Sequence, residues 1–372
     1  MKNLGLYVHI PFCAKKCAYC DFVSFTNSAS YFEQYAQAVC AEIEHFANKD
    51  YIVDTIYFGG GTPSLMPAKC VEQILNAIKS FYNVKSDAEI TVEVNPNSVN
   101  ENKALEYLKM GVNRISVGVQ SLNNKSLRVL GRLHNAKNAV KTLKMLKKVG
   151  FCNVSADIMI GIPHLTMWDI AREIRVLAKY CQHISAYSLI LEENTPLFNS
   201  VKQKTIRLPS EEKSVKQYNF ALKNLKKCGF YRYEVSNFCK TGYQSKHNLK
   251  YWNMQEYLGL GVASHSFISN KREENPNSLE EYFNYIKSFK RKCETVNKTQ
   301  LKEEYIMLQL RKAEGLNISD FNVKFNCNLL DNKLSLIKDL EKNNLIKIDK
   351  NFLFATDKGF CVLNQIILQL ID

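Results

Sequence analysis

Short apolar runs alternate with amphipathic stretches over the first half of the chain. The runs that predict β-strands cover residues 4–9, 55–58, 89–94, 114–119, 153–158 and 183–189. Apolar residues recurring three or four positions apart predict helices at 31–46, 67–82, 136–149 and 167–180. Such alternation favours a parallel sheet with right-handed crossovers. Six units of this kind predict an α/β fold, a partial and open (β/α)6 version of the eightfold barrel.

The C-terminal part of the chain has a different pattern. Helical periodicity at 279–289, 300–311 and 329–342 precedes two short strand patterns at 345–348 and 352–355, and a last amphipathic helix is predicted at 356–370. Three helices followed by a β-hairpin resemble a small winged-helix module. We therefore predict a barrel core at 1–200, a barrel extension at 201–270, and a C-terminal helical, winged-helix-like domain at 278–372.

Composition narrows the possible partners and the compartment. The net charge of +14 comes mainly from lysine, and no arginine-rich tract or nucleic-acid-binding motif accompanies it. We interpret it as a solvated lysine-rich surface and predict no nucleic-acid partner. No run of eighteen apolar residues predicts a transmembrane segment, and no signal-peptide pattern occurs. Twelve cysteines without paired spacing favour a reducing compartment, and hence the cytoplasm.

Three of these cysteines form one motif. Cys13, Cys17 and Cys20 are spaced C-x3-C-x2-C, directly after the first predicted strand and Pro11, which ends it. Three thiolates from one loop suit an iron–sulfur cluster that keeps one iron without a protein ligand. The alternative is a zinc site that takes His9 or a distant cysteine as its fourth ligand.

Polar or glycine-rich residues follow the ends of the next predicted strands. A glycine triplet and Thr62 follow the second strand, Glu93 closes the third, and Gln120 and Asp157 follow in turn. Each alone is explained by a turn, a cap or a salt bridge. Because the carboxyl ends of parallel strands meet at one rim, they are expected to converge there with Arg132. A zwitterionic ligand with a ribose needs such carboxylate, guanidinium and hydroxyl-binding groups.

Taken together, residues 7–22, 59–64, 93–96, 116–121, 131–135 and 157–163 resemble the oxygen-independent coproporphyrinogen III oxidase family of radical S-adenosylmethionine (SAM) proteins. The resemblance implies a 4Fe–4S cluster held by Cys13, Cys17 and Cys20, with SAM on the open iron. It implies no further catalytic side chain. The SAM contacts that it implies are Tyr7, Tyr19, Gly60, Gly61, Thr62, Glu93, Gln120, Arg132 and Asp157.

Two departures distinguish the branches of this family. The oxidases carry a further cysteine two residues after the third cluster cysteine, and an N-terminal extension. Here that position is Phe22, and six residues precede Tyr7. Both features favour the haem-chaperone branch, which implies a cytoplasmic protein, transiently at the membrane surface, that passes haem to acceptors such as membrane respiratory enzymes. The alternative is the oxidase, which decarboxylates coproporphyrinogen III to protoporphyrinogen IX in porphyrin biosynthesis.

A second motif lies more than two hundred residues downstream. The H-N-x-x-Y-W stretch comprises His247, Asn248, Tyr251 and Trp252 and is similar to a motif of the chaperone branch, which implies haem binding there. An imidazole suits iron, aromatic rings suit the porphyrin face, and Lys246 or Lys250 suits the propionates. The alternative is a packed segment with a hydrogen-bonded histidine. Geometry decides between them, since an imidazole serves both roles. His265 is a second candidate ligand.

Overall fold

The protein is described by a computed structural model that covers residues 1–331 and 333–371. Its centre is a run of parallel strands in which each strand pairs with the next along the chain. The strands are β1 (Lys2–Ile10), β2 (Tyr51–Gly60), β3 (Asn83–Val94), β4 (Arg114–Gln120), β5 (Val154–Ile160) and β6 (His183–Ser188). All six overlap the apolar runs of the sequence, and the partial (β/α)6 barrel is confirmed.

Helices lie between and after these strands along the chain. They are α1 (Phe32–His45), α2 (Ala68–Phe81), α3 (Glu101–Met110), α4 (Asn124–Val129), α5 (Ala136–Val149), α6 (Met167–Leu177), α7 (Pro196–Lys202) and α8 (Glu211–Lys227). In α2 the apolar residues spaced three or four positions apart form one buried face, which includes Val71, Ile74 and Ile78. A capping box formed by Thr166 and Asp169 begins α6, because each side chain accepts a backbone N–H of the first turn.

The sheet continues on both sides beyond the six central strands. The added elements are β7 (Tyr231–Arg232), β8 (Asn237–Cys239), α9 (Lys246–Trp252), β9 (Tyr257–Leu260), β10 (His265–Ile268), β11 (Lys271–Glu274) and β12 (Lys292–Thr295). Strand β9 runs parallel to β1, whereas β8 runs antiparallel to β6. The barrel therefore stays open. Ser269 and Asn270, both with positive φ, turn β10 into β11 within a polar segment that shows no strand pattern.

The remaining elements form the C-terminal part. They are α10 (Leu279–Tyr285), α11 (Lys298–Gln309), β13 (Leu316–Asn317), α12 (Ile318–Phe325), α13 (Leu334–Lys342), β14 (Ile346–Asp349), β15 (Phe352–Ala355), α14 (Asp357–Phe360) and α15 (Leu363–Ile371). A second hydrophobic core begins at Ile306 and holds α11 to α15 around the β14–β15 hairpin. Within residues 1–331 and 333–371, no helix is both long and apolar enough to cross a membrane.

The second core begins later than the predicted domain boundary at residue 278. In α10, Tyr282 and Tyr285 donate hydrogen bonds of 2.7 and 3.0 Å to buried Glu42 of α1. Both tyrosines belong to the first core, and β12 joins the main sheet. The helices before the hairpin are thus α11, α12 and α13. Periodicity alone identifies a helix here, but it does not show which core the helix joins.

The two faces of the central sheet differ in chemistry. On β4, Ile115 and Val117 are buried in the core that the helices cover. The alternate residue Ser116 faces inward and lies 3.4 Å from the carboxylate of Asp157 on β5. Since several strands repeat this alternation, the open barrel encloses a polar interior. Its two ends hold the two motifs found in the sequence.

Candidate functional site

The cysteine motif lies in a loop that the backbone closes at its base. The Cys13 N–H donates to the Phe25 carbonyl at 3.0 Å, and the Phe25 N–H donates to the Pro11 carbonyl at 2.6 Å. Nε2 of buried His9 lies 3.1 Å from the Val23 carbonyl oxygen. These contacts hold both ends of the loop against the end of β1. The loop therefore projects its three cysteines beyond the carboxyl ends of the strands.

The three cysteines are partly exposed, and all of them line the same cavity. The Cys13 sulfur lies 3.7 Å from Oγ1 of Thr62, and Nη1 of Arg132 donates to the Cys17 sulfur at 3.2 Å. Burial is the main cause of a raised pKa at Cys20. The guanidinium beside Cys17 and the hydroxyl beside Cys13 are groups that stabilise a thiolate.

The cysteine loop supplies a donor set of three thiols, which suits an iron–sulfur cluster. In a cubane, each cysteine binds a different iron. His9, the fourth ligand in the zinc alternative, faces Tyr7 and Val23.

A cavity of about 640 Å³ opens beside the cysteine loop at the carboxyl ends of the strands. Eight of the nine side chains or glycines expected to contact SAM line it. They are Tyr19, Gly60, Gly61, Thr62, Glu93, Gln120, Arg132 and Asp157. The exception is Tyr7, whose hydroxyl bonds to Nδ1 of His9 at 3.1 Å. The structure thus brings eight of the nine residues together with the cysteines.

Two of the carboxyl groups that line this cavity project from barrel strands, Glu93 from β3 and Asp157 from β5. Burial raises the pKa of Glu93 to about 7, although Tyr57 donates a 2.7 Å hydrogen bond to its carboxylate. Burial also raises the pKa of Asp157, against the effect of hydrogen bonds from Ser185 and Ser116. A cationic ligand in the cavity would restore the ionised forms. The site is therefore suited to an ammonium or another positive group.

A bulge at the end of β4 directs Gln120 into the cavity. The β4–β5 register shifts between Gly118 and Gln120, and Gln120 has a φ of 62°. Buried Glu173 of α6 holds the residues that follow, because it accepts from the Ser121 hydroxyl at 2.5 Å and from the Leu122 N–H at 2.6 Å. The sequence pattern did not identify this anchor, since a glutamate on an amphipathic helix is normally exposed.

The glycine turn after β2 has a structural reason of its own. A Cβ on Gly61 would lie 2.8 Å from the Phe12 carbonyl oxygen, and one on Gly60 would lie 2.5 Å from the His9 ring. The N–H groups of Gly61 and Thr62 each donate at 2.8 Å to the backbone at the base of the cysteine loop. The glycines therefore let this turn approach the cysteine loop, as well as line the cavity.

Sequence reasoning missed several lining residues. Phe22, Leu133, Tyr187 and Ile190 contribute apolar surface at the cavity, and Asn95 lines it after β3. Tyr187 lies near the carboxyl end of β6. The rule that identified Glu93 and Gln120 applies equally to that strand. Leu133 and Ile190 lie on loops, where no periodicity marks them.

The second motif forms α9, at the opposite end of the barrel interior. The Glu89 carboxylate of β3 accepts the backbone N–H groups of Lys246 and His247 at 3.1 and 3.0 Å. A carboxylate at a helix N-terminus satisfies free N–H groups and complements the helix dipole. Lys250 Nζ lies 2.7 Å from Oδ1 of Asp54 on β2, an ion pair outside hydrogen-bond alignment. Helix α9 is therefore fastened inside the barrel.

Both ring nitrogens of His247 have partners within the protein. Nδ1 lies 2.9 Å from Oγ1 of Thr55, and Nε2 lies 2.9 Å from the Tyr251 hydroxyl. The ring stacks on Tyr57 at a centroid distance of 5.2 Å. Burial lowers its pKa to about 3, with Lys250 and Arg114 adding to the effect. His247 is thus a buried, neutral and hydrogen-bonded residue, and it does not line the cavity.

The other residues of the motif also lie away from the cavity. Asn248 follows the Ser245 cap, whose hydroxyl accepts the Asn248 N–H at 3.4 Å. The Trp252 carbonyl accepts a 2.8 Å bond from Gln309 of α11, so the motif contacts the C-terminal part. Trp252 Nε1 is buried and has no hydrogen-bond partner among the residues that the structure describes. His265 is exposed at the start of β10.

Two protein-family models match this chain, one in the barrel and one in the C-terminal part. Residues 7–177 match the family model of the radical SAM superfamily. Residues 296–362 match the model of the HemN C-terminal domain, which falls within the second core. The two matches cover the cysteine loop with most of the barrel, and the winged-helix-like part.

Several named proteins are similar over almost the whole chain. The haem chaperone HemW of Lactococcus lactis is 34% identical over 98% of this chain and 96% of that protein. HemW of Bacillus subtilis is 31% identical over 97% of each chain. The mitochondrial radical S-adenosyl methionine domain-containing protein 1 of Danio rerio is 31% identical over 98% of this chain and 86% of that protein.

A solved structure shares the fold. The coproporphyrinogen III oxidase HemN of Escherichia coli, described as a radical SAM enzyme, superposes with a TM-score of 0.86. The match covers 99% of this chain and 90% of that chain at 22% identity. At this identity the likeness concerns the fold alone.

Proposed function

The chain belongs to the HemW family of radical SAM proteins, and from this premise we propose that it is a haem chaperone with a 4Fe–4S cluster and SAM. The observation that carries the proposal is one cavity lined by three cysteines and by eight residues expected to contact SAM. When bound, the cluster and SAM would supply one-electron chemistry, and the same residues would hold both groups.

The cluster ligands in this proposal are Cys13, Cys17 and Cys20. Arg132 supports the assignment, because its guanidinium donates to the Cys17 sulfur and to the Gly118 carbonyl at 2.8 Å. The guanidinium thereby lies between the cysteine loop and the end of β4. A positive group there stabilises the ligand thiolates and is within the cavity that a carboxylate of SAM would enter.

The remaining contacts to SAM would follow the chemistry of each side chain. Glu93 would accept from the ammonium group, and Gln120 and Asp157 would bind the ribose hydroxyls. The bulge after Gly118 and the Glu173 anchor support this role for Gln120, since they hold its side chain in the cavity. Gly60, Gly61 and Thr62 would supply backbone and hydroxyl contacts beside Tyr19. Tyr7 would contribute indirectly, because its hydroxyl is hydrogen-bonded to the ring of His9 and does not line the cavity.

Haem is the proposed cargo, and membrane haemoproteins such as respiratory enzymes are the proposed acceptors, reached from the cytoplasm. The names of the HemW relatives support haem binding. The motif at His247, Asn248, Tyr251 and Trp252 is the alternative haem site, and it would be accessible to haem only if α9 opened. Ligation by His247 would first have to break its bonds to Thr55 and Tyr251.

The decisive experiment compares two activities of the anaerobically reconstituted protein. One sample receives coproporphyrinogen III, SAM and a reductant, and another is titrated with haem and followed by absorbance. We expect a saturable haem complex with no protoporphyrinogen formed at an enzymatic rate. The Cys13→Ala variant controls for the cluster in both samples. Protoporphyrinogen formation by the intact protein would instead establish the oxidase alternative.

A further inference from the structure

We propose that haem binds at the mouth of the cluster cavity, on an apolar rim formed by Phe22, Leu133 and Ile190. This inference rests on the proposed haem-chaperone function and assigns the haem-contacting surface within it. It places the cargo next to the cysteine loop, at the end of the barrel opposite α9. The plane of the porphyrin would cover the rim while its propionates remain at the edge.

The three rim residues are unusually exposed for their type. Phe22 is 67% exposed, Leu133 56% and Ile190 69%, and all three line the one cavity beside the cysteines. Single exposed apolar side chains are common on protein surfaces, whereas a cluster of them around a cavity marks a binding site. Tyr187, 41% exposed, adds an aromatic ring to the same lining.

The backbone joins the loops that carry these residues. The Ala18 N–H donates to the Leu130 carbonyl at 3.0 Å, and the Leu197 N–H donates to the Ala18 carbonyl at 2.8 Å. Ala18 therefore ties the cysteine loop, which bears Phe22, to the loops before Leu133 and after Ile190. Backbone hydrogen bonds therefore join the three loops that carry the rim residues at one point.

The charges around the mouth suit a porphyrin that carries two carboxylates. Lys15 and Lys16 are exposed and line the cavity from the cysteine loop. Asp21 and Glu192 are the exposed carboxylates of the same lining. We therefore expect the propionates to pair with Lys15 or Lys16 and not to contact these two acids. The apolar rim of Phe22, Leu133 and Ile190 then receives the porphyrin face.

Haem binding at the rim does not require α9 to unpack from the barrel interior. Haem reaches exposed side chains without unpacking, whereas His247 and Lys250 are buried with partners. The rim position does not need a histidine from α9 to hold the porphyrin plane. With haem at the rim, His247 and Lys250 keep their contacts to Thr55 and Asp54 inside the barrel.

The test is a haem titration of a variant that carries Phe22→Ser, Leu133→Ser and Ile190→Ser. Loss of three apolar contacts should weaken haem affinity at least tenfold, because each contact removes apolar area from water. The matched control carries Val323→Ser, Leu334→Ser and Leu368→Ser. These residues are 83%, 58% and 60% exposed in the C-terminal part, and this control should bind haem as the unaltered protein does.

The outcomes separate this inference from the proposed function. If the unaltered protein fails to bind haem, the proposed function is wrong and the rim assignment falls with it. If the unaltered protein binds haem and the rim variant binds equally well, only the rim assignment is overturned. Circular dichroism and iron content should be unchanged in the rim variant, so that weaker binding reports the surface and not the fold. Weaker binding by the control variant too would also overturn the assignment.

A second measurement addresses the propionates. Replacing Lys15 and Lys16 by glutamine should lower affinity for haem several-fold and leave affinity for haem dimethyl ester unchanged. The ester keeps the apolar plane but lacks the charges. Equal affinity for haem in the glutamine variant and the unaltered protein would contradict the propionate orientation.

Discussion

Both ends of the barrel interior contain ionisable side chains, but the two ends differ in how these side chains are partnered. At the carboxyl ends of the strands, thiols, carboxyl groups and a guanidinium line an open cavity of about 640 Å³. At the other end, α9 fills the interior, and Glu89, His247 and Lys250 each meet a specific partner. Both ends were identified in the sequence as candidate ligand sites.

The difference shows that residue type alone does not mark a binding site. A buried polar group has to be satisfied, and the protein can do this itself or leave the task to a ligand. Both ring nitrogens of His247 are hydrogen-bonded, to Thr55 and to Tyr251, so neither nitrogen is available to a ligand in this structure. Burial raises the pKa of Glu93 to about 7 despite the hydrogen bond from Tyr57, so a bound cation would favour its ionised form.

The largest expected effect lies at the cavity end. Replacing any one of Cys13, Cys17 or Cys20 by alanine should abolish a stable cluster, since a cubane with one open iron depends on all three thiolates. Iron analysis after anaerobic reconstitution should give about four irons per intact chain and almost none in these variants. Cys40→Ala and Cys239→Ala are the matched controls. Cluster loss in a control variant would show that the ligand assignment is wrong.

The α9 end should respond through stability. Asp54→Ala leaves the Lys250 ammonium, whose side chain is 2% exposed, without its counter-charge. Removing one partner of a buried ion pair lowers the free energy of unfolding by about 3–5 kcal/mol. Urea denaturation measures this loss, and Asp50→Ala, at an exposed residue, is the control. A free energy of unfolding equal to that of the unaltered protein would mean that α9 does not fasten the interior.

Substitutions in the cavity should affect ligand binding more than stability. Glu93→Ala and Arg132→Ala each remove a charge-assisted contact to SAM, worth roughly 1.5–3 kcal/mol, and should lower SAM affinity at least tenfold. Calorimetric titration of the reconstituted protein measures the affinity. Circular dichroism should show that both variants are folded. Unchanged SAM affinity in both would remove the proposed pocket.

The SAM affinity should also depend on pH through Glu93. Because burial raises the pKa of this group to about 7, the carboxyl is largely protonated below that pH and cannot pair with an ammonium. Affinity should therefore rise several-fold between about pH 6 and pH 8 as the carboxylate forms. The Glu93→Gln variant should lack this part of the rise. An identical pH profile in the variant would assign the titration to another group.

The smallest expected effect concerns haem at α9. Since both nitrogens of His247 are engaged in the barrel, His247→Ala should leave the haem absorption spectrum as it is in the unaltered protein. Trp252→Ala should likewise change haem affinity less than the rim substitutions do. Absorbance titration of both variants measures this. An altered spectrum with His247→Ala would make this residue the iron ligand and require α9 to open.

Much of the site follows from the sequence because its parts obey simple rules. The C-x3-C-x2-C spacing sets the cysteines on one loop, and the parallel-sheet rule brings Glu93, Gln120 and Asp157 to one rim. Glu173 and the rim residues escaped these rules. A buried acid on an amphipathic helix and apolar residues on loops give no periodic signal.

The sequence by itself determined the order of the strands, the parallel sheet and the end of it at which chemistry collects, because periodicity and chain direction are local properties. The tertiary structure decided which motif residues are open to a ligand. His247 and Glu93 are both plausible ligand groups in the sequence, but their hydrogen-bond partners come from distant strands and helices. Only the folded chain brings those partners together and so determines which polar groups remain available.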